Sequence, residues 1–70
     1  MTKSEAKRAI AGLSSGTLAN ITGITNYEAL DRALAGMLDA INIVDVSGCE
    51  TWVHVVEVIK KYNQNLFGYR

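Results

Sequence analysis

The chain has 70 residues, seven basic and seven acidic side chains, and a hydrophobic share of 49%. That length allows one helical domain over residues 1–70, and zero net charge favours neither a nucleic-acid coat nor a nucleic-acid mimic. A single cysteine excludes an internal disulfide, and with one histidine there is no Cys/His set for a structural zinc.

A chain this short buries only about 60% of its unfolded surface, so a lone core is marginal. Small scaffolds without such staples commonly gain stability by associating, and the large hydrophobic share here predicts self-association, as a homodimer or a higher oligomer. No hydrophobic run approaches the ~20 residues of a membrane span, and Met1-Thr2-Lys3-Ser4 lacks the apolar stretch of a signal peptide. The expected location is cytoplasmic, without a membrane partner, and the Asn20-Ile21-Thr22 sequon is expected to be idle. Charge is uneven along the chain: Lys3, Lys7 and Arg8 precede a middle holding Glu28, Asp31, Asp39 and Asp45 against Arg32. A basic first segment can therefore lie across an acidic middle helix.

Ser4 can cap a first helix over about 4–13, in which Ala6, Ala9, Ile10 and Leu13 recur at the i, i+3, i+4, i+7 spacing of one face. Ser14-Ser15-Gly16 breaks it, since serine competes for local backbone bonds and glycine favours unwinding. Residues 14–24 remain open between helix and loop. Thr17, Ile21 and Ile24 would prolong the same face in a single bent helix, whereas a short turn of helix around 17–22 would end at Gly23.

Two capping boxes frame the rest: Thr25-Asn26-Tyr27-Glu28 and Ser47-Gly48-Cys49-Glu50, each with a Ser/Thr and a Glu three residues on. They predict a helix over about 26–45, a tight turn, and a helix over about 48–64. In the first, Leu30, Leu34, Met37, Leu38, Ile41 and Val44 form a large apolar stripe. Beside it runs a stripe of small residues, Ala29, Ala33, Gly36 and Ala40. Together they cover more than half the circumference at about 100° per residue, more than one partner helix can cover. The small stripe is the candidate self-association surface, where a second backbone can approach closely.

The last helix is rich in β-branched residues, which favour strands. Its polar residues Glu50, His54, Glu57 and Lys61 nevertheless step by four, three and four, with Trp52, Val55, Val56, Ile59, Tyr62 and Leu66 on the other side, and that is a helical period. The expected fold class is all-α. Three helices, or four if residues 17–22 form one, comprise an antiparallel hairpin packed by an N-terminal helix, and the whole dimerises.

No catalytic set emerges. His54 between Glu50 and Glu57 reads as a solvated face with i, i+4 neighbours, and no second histidine completes a metal site. Cys49 at a helix start could have a lowered thiol pKa, but no base accompanies it, and Ser14 and Ser15 have no triad companions. No enzyme, cofactor or metal is therefore expected. Gly12-Leu13-Ser14-Ser15-Gly16-Thr17 lacks the lysine and spacing of a P-loop, which leaves binding of a small anion or nucleotide at this turn as a third function. Leu18-Ala19, Gly23-Ile24-Thr25 and the helix running to Leu34 resemble part of the helix-turn-helix of small repressors. Against DNA binding, that helix offers Glu28 and Asp31 to the phosphates and only Arg32 near its start.

The leading expectation is a self-associating helical protein that binds and modulates or occludes a partner protein. Adaptors, antitoxin-like regulators and phage- or mobile-element-encoded inhibitors share this size and character, an analogy rather than a motif. Tyr62, Phe67, Tyr69 and Arg70 are the candidate partner-binding residues, being types common at interface anchors.

Overall fold

In a computed structural model that describes residues 1–63, the chain forms α1 (Lys3–Ala11), α2 (Ser15–Thr22), α3 (Tyr27–Ile41) and α4 (Trp52–Tyr62), with no strand among the described residues. The all-helical class is as expected, and within residues 14–24 a separate helix forms over Ser15–Thr22 rather than a continuation of the first. α3 is the central element, packing against α1, α2 and α4, while α1 also meets α4.

The helix ends differ from expectation, and each difference has a local cause. α1 begins on Thr2, not Ser4: the Thr2 hydroxyl accepts from the Glu5 N–H at 3.1 Å, and the Glu5 carboxylate accepts from the Thr2 N–H at 2.9 Å. This reciprocal pair is a complete capping box. It ends at Ala11, not 13, and Gly12 follows as its cap. α2 begins behind Ser14, whose hydroxyl accepts from the Thr17 N–H at 3.2 Å. It stops at Gly23, which alone among the described glycines has a positive φ, 73°, and donates its N–H to the Ala19 carbonyl at 2.8 Å. That left-handed conformation costs glycine no Cβ clash and closes the helix.

Neither of the two expected capping boxes forms. At α3 the cap is Asn26, whose side-chain oxygen accepts from the Ala29 N–H at 3.1 Å. Asparagine outranks threonine at this position, so Thr25 is left outside. At the second site Asp45 claims Ser47 instead, accepting from its hydroxyl at 2.7 Å and its N–H at 3.0 Å. A charged acceptor makes the stronger bond. α4 therefore starts only at Trp52, behind Thr51, and ends at Tyr62 rather than 64.

α3 also ends earlier than expected, at Ile41 rather than 45. The N–H groups of Ile43 and Val44 both fall on the Ala40 carbonyl at 2.9 Å, tightening the last turn. Asn42, Ile43, Val44, Asp45 and Val46 are all poor helix formers, β-branched or competing for backbone bonds. The expected tight turn is thus a longer connector, residues 42–51. It is not a passive loop: Val44, Val46 and Cys49 enter the core beside Ala6 and Ile10 of α1, Leu18 of α2, Leu30, Met37, Ala40 and Ile41 of α3, and Val55, Val56 and Ile59 of α4. Fully burying a side chain such as Met37 or Ile59 contributes roughly 1.5–3 kcal/mol, and these two are wholly excluded from solvent. The N-terminal segment clamps the connector, with the Met1 ammonium donating to the carbonyls of Ser47 at 3.3 Å and Cys49 at 2.9 Å.

Candidate interaction surface

Among the described residues, the aromatic side chains lie outside the buried core. Every described residue of the buried cluster is aliphatic, alanine, methionine or cysteine. Among the described residues Trp52 only packs against that cluster from its edge, while Tyr27 is 74% and Tyr62 51% exposed. Ile43 and Val53 are the other large apolar side chains in solvent among the described residues, at 64% and 45%.

Of the expected partner-binding residues, Tyr62 is on the surface at the C-terminal end of α4, and Phe67, Tyr69 and Arg70 lie outside the described residues. Tyr27, Ile43 and Val53 escaped sequence reading, although a signal existed for two of them. Val53 falls out of phase with Trp52, Val55, Val56 and Ile59, and Ile43 out of phase with Ile41 and Val44. Tyr27 is the first residue of α3, where a side chain can stand clear of the packed face.

The small stripe divides. Ala33 and Ala40 are buried inside the chain itself, whereas Ala29 and Gly36 are half-buried. Packing within one chain therefore accounts for half of the stripe.

Most of the chemically suggestive residues are engaged in local structure. Glu50, His54 and Glu57 are exposed, and His54 Nδ1 accepts the Glu50 N–H at 3.4 Å. Cys49 is buried in the connector, three residues before α4 rather than at the helix start, and its N–H donates to Val46 at 3.0 Å. Ser14 serves as a cap, and its hydroxyl also meets that of Thr17 at 2.9 Å, so one donor at the 12–17 turn is already satisfied. No group of three His, Cys, Asp or Glu among the described residues is placed to hold a metal ion. The Thr22 hydroxyl of the sequon is buried, donating to Leu18 at 2.6 Å and accepting from Ile24 at 3.2 Å.

Two carboxyls are shifted. Glu5 is held below the ordinary glutamate range by the Thr2 N–H and then by the Thr2 side chain. Asp45 is held below the ordinary aspartate range by the hydroxyl and then the N–H of Ser47. Both are exposed turn-forming groups, and their shifts follow from hydrogen bonds to the charged form rather than from a reactive pocket.

α2, the turn at Gly23 and α3 do lie in helix-turn-helix order, an eight-residue helix leading into one of 15. The start of α3 exposes Tyr27, Glu28, Asp31 and Arg32. No helix among the described residues is long and apolar enough to cross a membrane. No protein-family model, curated protein or solved structure matches the chain.

Proposed function

We propose that this chain is a non-enzymatic, self-associating helical protein of the cytoplasm that acts by covering the surface of a partner protein, as an adaptor or inhibitor. The observation that supports this reading is the exclusion of Tyr27 and Tyr62 from an aliphatic core. Tyrosine buries a large area at low entropic cost and is enriched among interface anchors. Tyr62 would act with Phe67, Tyr69 and Arg70. A second copy would approach along Ala29 and Gly36, the half-buried members of the small stripe.

The test has two parts. Light scattering at micromolar concentration should give a mass above the 7.6 kDa of one chain, reduced towards it in Gly36→Leu. Affinity capture from the native host, read by mass spectrometry, should recover a protein that the Tyr27→Ser, Tyr62→Ser variant loses. A monomer that captures nothing would overturn the proposal.

The order α2, left-handed Gly23, α3 favours a second reading, a DNA-binding helix-turn-helix. It requires an electrophoretic shift at low salt, where phosphate contacts are strongest. The acidic Glu28 and Asp31 at the would-be recognition helix rank it below the first.

A further inference from the structure

The helices begin in two different ways. Thr2, Ser14 and Asn26 each present a side-chain oxygen to a first-turn N–H, whereas Thr51 makes no side-chain bond at the start of α4. There the bond runs backwards. His54, the third residue of α4, reaches across the junction with Nδ1 to accept the Glu50 N–H at 3.4 Å. Glutamate or glutamine fills the equivalent third position in a capping box.

Histidine differs from those residues in one respect. Its ring nitrogen accepts only while it carries no proton, and once protonated both nitrogens donate. A protonated ring at this point would also set a positive charge against the positive end of the helix dipole. We propose that His54 is a proton-released latch: unprotonated, it ties the connector to the first turn of α4, and a proton on Nδ1 frees the Glu50 N–H and frays that turn.

The surrounding charges confine the opening. Glu50 and Glu57, four residues before and three after His54, are exposed and offer the protonated ring an alternative contact once the latch opens. The rest of the connector is held from α1 and from within. Met1 binds the Ser47 and Cys49 carbonyls, Lys3 binds the Asn42 carbonyl at 2.7 Å, and Asp45 binds Ser47. Asp39 is the acidic residue of α3 next to that end. Release should therefore be felt over residues 50–54 and not through the core.

Amide and ring NMR of the full chain between pH 8 and 5 tests this. At pH 8 the ring should carry its proton on Nε2. On acidification the Glu50 amide and the first-turn amides of α4 should shift in step with the His54 ring, with about a fivefold fall in hydrogen-exchange protection at Glu50 beyond the intrinsic trend. His54→Gln, which keeps an acceptor that does not titrate, should abolish the response. A proton on Nδ1 at pH 8, or a Glu50 amide that ignores the ring's titration, would overturn the proposal from the unmodified protein alone.

Discussion

The ammonium of Lys3 donates to the main-chain carbonyl of Asn42 at 2.7 Å, joining the first turn of α1 to the last turn of α3. A helix C-terminus carries unsatisfied carbonyls and the negative end of the dipole, so a cation there is favourable in both respects. Lys3→Met keeps most of the aliphatic stem and removes the charge. It should lower unfolding stability by about 0.3–1 kcal/mol, an effect that shrinks at high salt. Chemical denaturation at two ionic strengths checks this, and equal loss at both would show that packing of the stem is what matters.

Two glycines should respond oppositely to alanine. Gly23 sits at φ 73°, where a Cβ is strained whatever space surrounds it. Gly23→Ala should cost about 1–2 kcal/mol. Gly16 lies within the first turn of α2, with open space where an added methyl would stand and no positive φ. Gly16→Ala should instead stabilise by about 0.4–1 kcal/mol, chiefly by restricting the unfolded chain. Opposite shifts in thermal midpoint are the expected result.

Met37 and Ile59 meet no solvent at all, on the central helix and on α4. Truncating either to alanine should cost about 2–5 kcal/mol from lost burial and the cavity left behind. In a domain this small that is a large part of the total. Circular dichroism should find Met37→Ala largely unfolded at 37 °C, while Val53→Ala, on the surface, retains its helix content.

The pH dependence follows from Asp45 and Glu5. Both carboxyls are lowered in the folded chain by hydrogen bonds their charged forms accept. A lowered folded value means that the stability they add is complete above the ordinary carboxylate range and is lost as pH falls through the folded values. Asp45→Asn and Glu5→Gln should therefore narrow the gap between the denaturation midpoints at pH 7 and pH 3. An unchanged gap would place the acid sensitivity elsewhere.

Apolar spacing made the helices legible in the sequence, because Leu30, Met37 and Ile41, or Val55 and Ile59, report on one face of one element. Helix ends were less so, because neighbouring residues compete to cap them. Thr25 loses to Asn26, Ser47 is taken by Asp45, and the Thr2–Glu5 box that does form carries the same pattern as the two that do not. Val44 continued the spacing of α3 and so disguised its end. For the candidate surface, the phase of Val53 and Ile43 already marked them as outward. The split of the small stripe was not readable, since what separates Ala33 from Ala29 is the placement of elements distant in sequence.

The connector between α3 and α4 carries a consequence for how the domain comes apart. Because Val44, Val46 and Cys49 are anchored among side chains from all four helices, this stretch cannot open as loops ordinarily do while the helices stay in place. Its protected amides should exchange through the same global event that melts α3. Foreign residues inserted between Val46 and Cys49 would unseat the whole domain, whereas the exposed corner at Gly12 and Ser14 offers a place where the chain can be lengthened.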